Sequence, residues 1–373
     1  MSAEIRPIRL DEVSILQDFM REEWNRQHAF VHSRELLLWQ HHLNPFKRQG
    51  PFGDDELSFW GAWDGSDLIA VLGEIPVPFA ICGETVAGTW LAVWKNRAES
   101  TQVTVGLQLL RRVTSGPSAF VGGLGMNERV RGAYGLFRYR VCDDLPLYIV
   151  LNPDVSSAWV RKKPTYTEAR GSQLWLRTPA SPPDWKLTVR PLPAEAEEWD
   201  RFWSRIRAGL VGTDRNSNYM NWRYLTHPHY RYEWVRVYDE TEELRAAAVY
   251  RIEEAEGEKA IHVVEFLGEG QAAEQLAHAL CGVMREREAS FLGFRCARAQ
   301  SFEPWRAVGG DVYGKGDTAY ELPSLFQPVV PEYRTLAWIY RFGRGIEPAD
   351  LSGFYVTRSD GDQDRPSRID PAQ

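Results

Sequence analysis

Residues 39–45 read WQHHLNP, and residues 222–228 read WRYLTHP. Both segments begin with tryptophan and end with proline, at an offset of 183 residues. A second pair, IRPI at residues 5–8 and VRPL at residues 189–192, has an offset of 184. Two matches at nearly the same offset are hard to obtain by chance, so the sequence predicts two tandem copies of one fold.

Each half also contains the same predicted order of secondary structure. Alternating or apolar stretches predict strands and 3.6-residue periodicity predicts helices, in the order β-α-α-β-β-β-α-β-α-β. This order predicts a mixed α/β (α+β) fold of two tandem units, each a mostly antiparallel mixed sheet flanked by helices. We place the first unit at residues 1–178, the second at residues 187–356, and a polar tail, expected to be disordered, at residues 357–373.

The composition is that of an ordinary globular protein. Of the 373 residues, 43% are hydrophobic and 25% are charged, and the net charge of −7 argues against a nucleic-acid partner. No apolar run is long enough to span a bilayer and the first residues lack a signal-peptide pattern, so we expect a cytoplasmic protein without a membrane partner. The four cysteines are widely scattered, which predicts neither a disulfide framework nor a metal site.

Residues 101–110, TQVTVGLQLL, follow a predicted strand and open a predicted helix. With the element order, this segment resembles the pyrophosphate loop, Gln/Arg-x-x-Gly-x-Gly/Ala, of the GNAT family of acyl-CoA-dependent N-acetyltransferases. Gly106 keeps the last small position, whereas Thr104 replaces the first glycine. The resemblance implies acyl-CoA as co-substrate, no metal, and a pyrophosphate held by backbone N–H groups at a helix start. The residues of this implied site are Val103, Thr104, Val105, Gly106 and Leu107.

Asn127 and Tyr134 have the spacing of a second GNAT motif, Asn-x-x-Ala-x-x-x-Tyr-x-x-x-Gly-Phe, in which Val130 replaces the alanine, Arg138 the glycine and Tyr139 the phenylalanine. The resemblance implies that Tyr134 protonates the departing CoA thiolate and that Asn127 binds the pantetheine arm. The alternative is that Tyr134 is a core residue of a short helix. In the second half, residues 268–271 (GEGQ) bring a carboxylate to the corresponding loop. The second unit is therefore predicted to be degenerate and to close the acceptor pocket.

Polar and aromatic residues in and around the repeated tryptophan segments form the predicted acceptor site. Arginine makes bidentate contacts with phosphate, and aromatic rings stack on a base. The residues are Trp39, Arg215, Asn218, Trp222, Arg223 and Tyr224. For the tryptophans, the alternative is a place in the core. His28 and Glu74 are the candidate bases for the acceptor amine, with a capping histidine and a paired carboxylate as the alternatives.

Taken over residues 1 to about 356, the chain resembles tandem-GNAT N-acyltransferases of bacterial surface-polysaccharide pathways. The resemblance implies transfer of an acyl group from acyl-CoA to the amino group of a nucleotide-linked, typically dTDP-linked, amino-deoxysugar. The amine would attack directly, without a covalent enzyme intermediate. Two alternatives are an aminoacyl-tRNA-dependent transferase of the peptidoglycan type and a non-catalytic GNAT binding module. The predicted partners are small molecules, and self-association is left open.

Overall fold

The computed structural model describes residues 3–98, 104–162, 187–191, 193–268, 270–298, 303–313, 320–323, 325–326, 329–330, 334–348, 350–366 and 369. Within them, helices pack on two large sheets that are mostly antiparallel, which confirms the predicted fold class. The strands are β1 (Glu4–Arg9), β2 (Glu56–Asp64), β3 (Asp67–Ile81), β4 (Glu84–Asn96), β5 (Phe120–Leu124), β6 (Arg140–Cys142), β7 (Leu147–Leu151), β8 (Arg161–Lys162), β9 (Thr188–Arg190), β10 (Val211–Thr213), β11 (Glu233–Tyr238), β12 (Leu244–Ala255), β13 (Glu258–Gly268), β14 (Phe291–Arg295), β15 (Asp311–Tyr313), β16 (Tyr320–Glu321), β17 (Leu325–Phe326), β18 (Val329–Val330) and β19 (Trp338–Phe342).

Helices connect these strands and cover the sheets. They are α1 (Val13–Glu23), α2 (Ala29–His32), α3 (Arg34–His41), α4 (Val105–Thr114), α5 (Arg131–Leu136), α6 (Ala196–Ile206), α7 (Ser217–Met220), α8 (Gly270–Glu286) and α9 (Glu303–Ala307). Short 3-10 turns lie at Leu10–Glu12, Lys47–Gln49, Glu128–Val130 and Arg207–Gly209, and a π-helical turn continues α7 at Asn221–Leu225.

Local sequence explains several of these boundaries. The Ser33 hydroxyl accepts a hydrogen bond from Leu36 N at 3.0 Å, which caps α3 at its start. Apolar residues one turn apart, among them Val105, Leu109 and Val113, form the buried face of α4. Glu256 and Gly257 both have positive φ, as a two-residue hairpin turn requires, and they join β12 to β13.

The two sheets repeat one strand pattern. The first has the order β1-β2-β3-β4-β5-β19-β6, with β10 paired to the end of β3. The second has the order β9-β11-β12-β13-β14-β7-β15. In each sheet one neighbouring pair is parallel, β4 with β5 and β13 with β14, and the other pairings are antiparallel. The described short strands also form two separate pairs, β8 with β16 and β17 with β18.

The two halves exchange a strand. β7 comes from the first half of the chain but pairs with β14 and β15 in the second sheet. β19 comes from the second half and lies between β5 and β6 in the first sheet. Each sheet therefore needs a strand from the other half, and neither set of predicted unit boundaries encloses one complete sheet.

The repeated tryptophan segments meet in the centre of the molecule. The Trp39 and Trp222 rings stack with centroids 5.0 Å apart. Trp39 Nε1 donates to Trp222 O at 3.3 Å, and Trp222 Nε1 donates to Trp39 O at 3.2 Å. A reciprocal contact between corresponding residues is what a two-fold arrangement of similar units produces. The duplication itself stays a prediction.

The C-terminal segment, defined here as residues 353–366, is not the disordered tail that its polarity predicts. Thr357, Ser359, Asp360 and Asp364 are buried, and Asp364 is 0% exposed. Their polar groups are satisfied inside the protein, for example by a hydrogen bond from Thr357 N to Asp360 Oδ2 at 2.7 Å. The prediction of disorder was wrong because these charges have buried partners elsewhere in the chain.

Candidate active site

A cavity of about 610 Å³ opens where the parallel strands of the first sheet separate. β4 and β5 pair from Gly88 and Phe120 as far as Leu91 and Gly123, and their continuations form opposite walls. Residues 91–96 line one wall and residues 123–127 line the other. Strands that separate leave backbone N–H and C=O groups without a partner across the gap. The cavity therefore offers polar backbone to an extended ligand.

A β-bulge shapes the β4 wall of this cavity. Ala92 pairs with Gly73 and Trp94 pairs with Leu72, so Val93 is an extra residue without an opposite partner. Its φ of 46° lies in the left-handed region, which is a strained conformation for a β-branched residue. A bulge removes the peptide groups of the extra residue from the ladder. The bulge at Val93 thus makes a backbone N–H available to a ligand in the cavity that Val93 lines.

Tyr134 on α5 forms another part of the cavity wall and is only 6% exposed. Its ring packs edge-to-face on Trp94 and on Tyr139, with centroids 5.5 and 5.4 Å away. Burial raises the pKa of the Tyr134 phenol well above its usual range, and the nearby Tyr139 and Asp362 add to this effect. The phenol is therefore protonated at neutral pH and can donate a proton. Tyr134 is thus a buried core residue of a short helix and also lines the cavity, so the structural interpretation does not exclude the functional one.

Asn127 also lines the cavity, and its side chain has a structural role as well. Asn127 Oδ1 accepts a hydrogen bond from Arg129 N at 3.0 Å, which caps the 3-10 turn before α5. This cap fixes the start of the segment that presents Tyr134. The amide nitrogen of Asn127 remains for a ligand, and its predicted contact with pantetheine stays a prediction.

The C-terminal segment supplies a wall that the sequence analysis missed. Asp362, Gln363 and Arg365 all line the cavity. Gln363 Nε2 donates to Asp362 Oδ1 at 2.8 Å and reaches Leu124 O at 3.4 Å. Asp362 is the only carboxylate among the described lining residues. The signal that could have found this wall is the acidic run DGDQD at residues 360–364, because buried arginines earlier in the chain need such partners.

Gly125 is required where the C-terminal segment meets the β5 wall. Its φ is 74°, and a Cβ at this position would lie 2.6 Å from Gln363 Nε2. A larger residue would strain the backbone and displace Gln363. The glycine therefore allows the segment to approach the cavity closely.

In the second sheet, the corresponding groove is filled by the protein itself. β13 and β14 pair from Ile261 to Val263 and from Leu292 to Phe294, and a bulge follows at Val264. Beyond this point, Ala297 N donates to Val356 O at 2.9 Å. Phe266 N donates to Tyr355 Oη at 3.0 Å. The C-terminal segment thus occupies the space that stays open in the first sheet.

No family model matches the sequence, and no curated protein sequence matches it. A conserved protein of unknown function from Enterococcus faecalis V583, a probable N-acyltransferase, superposes with a TM-score of 0.55 at 12% identity, over 92% of this chain and 72% of that chain. A GCN5-related N-acetyltransferase from Anabaena variabilis gives 0.56 at 9% identity, over 91% and 72%. Another from Kribbella flavida gives 0.50 at 15% identity, over 91% and 71%.

The chain has the GCN5-related N-acetyltransferase fold. At these identities the likeness concerns the fold, and the function has to be argued from the site.

The GNAT pyrophosphate loop was predicted at residues 103–107. Val103 lies outside the described residues, and Thr104 precedes α4 without capping it through its side chain. Gly106 is needed because a Cβ there would lie 2.7 Å from Asn96 Oδ1. Asn96 lines the cavity, so the first turn of α4 adjoins it. The role of Thr104, Val105, Gly106 and Leu107 in binding a pyrophosphate stays a prediction.

The two candidate bases do not line the cavity. Glu74 is buried in the sheet, where Trp60 Nε1 donates to its Oε1 at 2.6 Å, and burial raises its pKa. His28 caps α2 by accepting from Phe30 N at 3.2 Å, and its Nε2 lies 3.0 Å from an Arg365 nitrogen. Burial and then Arg365 lower the pKa of His28 to about 2. In the structure Glu74 is therefore a paired carboxylate and His28 is a capping histidine. These are the alternatives to a role as the base for the acceptor amine.

The predicted acceptor residues of the second half are mostly engaged inside the protein. Arg215 is 0% exposed and donates to Glu265 at 2.6 Å and to both Asp360 oxygens at 2.9 and 3.0 Å. Arg223 donates to the Ser359 and Asp364 carbonyl oxygens, at 3.0 Å each.

Tyr224 and the two tryptophans are also buried. The Tyr224 hydroxyl donates to Glu265 at 2.6 Å, and Trp39 and Trp222 contact each other as described above. These side chains and the two arginines hold the C-terminal segment and join the two halves, so their placement contradicts an open acceptor site. Asn218 is exposed on α7.

The described residues contain no group of three or more His, Cys, Asp or Glu side chains that could hold a metal ion. Among the described helices, none is long and apolar enough to cross a membrane.

Proposed function

We propose that the protein is an acyl-CoA-dependent N-acyltransferase and that the cavity of the first sheet is its active site. The observation that carries the proposal is the combination, in one GNAT-fold cavity, of separated parallel strands, a bulge at Val93 and the buried phenol of Tyr134. Two of the structurally similar proteins are named as a probable N-acyltransferase and an N-acetyltransferase, which agrees with this proposal.

The thioester substrate supplies an activated acyl group, and the cavity residues would act on it directly. The backbone N–H at the Val93 bulge polarises the thioester carbonyl and stabilises negative charge on its oxygen. An amine then attacks the carbonyl carbon, and the carbon–sulfur bond breaks. Tyr134 gives its proton to the leaving thiolate. This sequence needs no covalent bond to the protein.

In this proposal, Asp362 takes the proton that the acceptor amine loses. Asp362 is the only carboxylate among the described residues that line the cavity. Glu74 and His28 are not among those residues. Arg365 Nη2 lies 3.5 Å from Asp362 Oδ2. A carboxylate at this place also attracts the protonated amine before it reacts.

For the acceptor, we propose the nucleotide-linked amino-deoxysugar that the sequence resemblance implies. Trp24 supports this choice, since it lines the cavity and is 44% exposed, which presents a flat apolar ring to a sugar. Lys95 and Arg129 also line the cavity and have no ion-pair partner among the described residues. They are suited to the phosphates of the substrates.

The test is a thiol-release assay of several acyl-CoAs with nucleotide amino sugars and simple amines, on the wild-type protein and on Tyr134→Phe. Loss of the acid is expected to lower kcat by about 100-fold or more, with KM changed only a few-fold. Tyr139→Phe is the matched control, because Tyr139 is buried beside Tyr134 and contacts Thr114 Oγ1 at 2.9 Å. Equal turnover of the two variants would remove the acid role of Tyr134. Failure of the wild-type protein to bind any acyl-CoA would overturn the proposed function.

A further inference from the structure

A second cavity, of about 460 Å³, lies at the other end of the first sheet. It is formed by the end of α4, the connection from α5 to β6, and the residues that follow β19. Its charged lining residues are Arg111, Arg138, Arg140, Arg341, Arg344 and Glu347. Five arginines against one glutamate form a strongly positive pocket in a chain whose net charge is −7.

Two of these arginines have internal partners. Arg140 pairs with Glu347 at 2.8 Å, and Arg341 Nη1 donates to Thr114 O at 3.0 Å. The other three, Arg111, Arg138 and Arg344, have no ion-pair partner among the described residues. Three guanidinium groups around one concave space repel each other, and an anion between them would relieve that repulsion.

The backbone and the aromatic lining of the pocket are also informative. Arg138 has a φ of 61°, an uncommon conformation for a residue other than glycine, and it is held between α5 and β6. Phe137, Tyr340 and Phe342 line the same space. Aromatic rings beside guanidinium groups suit a ligand that has both a planar ring and phosphate groups.

We propose that this pocket binds a small phosphorylated molecule, and we expect a nucleotide to bind more tightly than a bare phosphate. Guanidinium groups recognise phosphate through paired N–H donors, so three of them can hold two neighbouring phosphate groups. The pocket volume lies within the usual range for small-molecule sites.

The pocket is separate from the proposed active site. β19 passes both, since Ile339 lines the first cavity and Gly343, just after the strand, lines the second. The two described linings share no residue, although Tyr340, which lines the second cavity, directly follows Ile339. The proposal does not depend on the proposed acyl transfer.

Calorimetric titration of the full chain at low salt would test the site, with ATP, ADP, pyrophosphate and citrate as probes. We expect ATP to bind more tightly than pyrophosphate, and we expect its binding to weaken as salt is added. The variant Arg138→Gln/Arg344→Gln should bind ATP at least about 100-fold more weakly, since it removes two charge-assisted contacts that are each worth about tenfold or more.

Arg201→Gln/Arg306→Gln is the matched control, because it removes the same charge from exposed positions on α6 and α9. Circular dichroism would establish that both variants are folded. The proposal is overturned by absence of binding at millimolar probe or by equal weakening in both variants.

Discussion

The grooves of the two sheets begin alike and end differently. In each sheet a parallel pair separates next to a bulge, at Val93 in β4 and at Val264 in β13. The first groove is a cavity of about 610 Å³, whereas the second holds the chain's own C-terminal segment. The same backbone geometry can therefore form an open cavity for a ligand or hold another segment of the chain. Which of the two occurs depends on whether the protein's own side chains fill the groove.

The filled groove also helps to build the open one. In the second half, the C-terminal segment is fixed by the buried ion pairs from Arg215 to Glu265 and Asp360. A few residues later, Asp362 and Arg365 line the first cavity. The contacts that anchor the segment in the second half therefore also position a wall of the first cavity.

The largest effect is expected from removing this segment. A chain that ends at residue 352 would leave Arg215 and Glu265 buried without Asp360 and Tyr355, and Arg251 without Asp364. Breaking one buried pair costs about 3–5 kcal/mol, so several together exceed the stability of an ordinary domain. We expect this chain to be unfolded by circular dichroism and rapidly degraded by protease.

The matched control is a chain that ends at Ile369, which keeps residues 353–366. It should fold like the full chain. If the shorter chain is folded and binds acyl-CoA, the segment does not hold the two halves together.

Lowering the pH should produce the next largest effect, and it tests whether the halves unfold as one unit. Burial is the main cause that lowers the pKa of His28 and His227 to about 2 and that of His41 to about 3, from 6.5. Below pH 6.5 the unfolded chain gains protons that the folded chain does not, so stability falls as the pH decreases. At one unit below 6.5, each histidine costs about 1.4 kcal/mol.

Urea unfolding at pH 7.5 and at pH 5.5 would measure this loss. Because strands are exchanged between the halves, we expect a single transition that moves to lower urea. Burial also lowers the pKa of His262 well below 6.5, so His41→Asn removes one of four such groups and should reduce the slope of stability against pH by about a quarter. Equal stability at the two pH values, or two separate transitions, would contradict the expectation.

The sequence was sufficient for the fold class and for part of the cavity. Hydrophobic periodicity gave the strands and helices, and the spacing of Asn127 and Tyr134 identified two residues that line one cavity. Periodicity cannot show the exchange of β7 and β19, because a strand has the same pattern in either sheet. Arg215 and Tyr224 were chosen for suitable chemistry, but their partners are internal carboxylates far away in the chain. Such pairing leaves no local pattern.

The smallest expected effect comes from Tyr355→Phe, which changes only the filled groove. Tyr355 Oη accepts from Phe266 N at 3.0 Å and lies 2.9 Å from Glu265 Oε2, to which it donates. Without the hydroxyl, a buried N–H and a buried carboxylate each lose a partner, which should cost about 1–3 kcal/mol. Tyr340→Phe is the control: Tyr340 is also buried, but its hydroxyl has no hydrogen-bond partner among the described residues, so stability should change by less than about 0.5 kcal/mol in the same urea experiment. Acyl-CoA binding should be equal in both variants, because the open groove is intact. A tenfold loss of acyl-CoA binding in Tyr355→Phe alone would contradict this expectation. It would mean that a contact in the filled groove affects ligand binding in the open one.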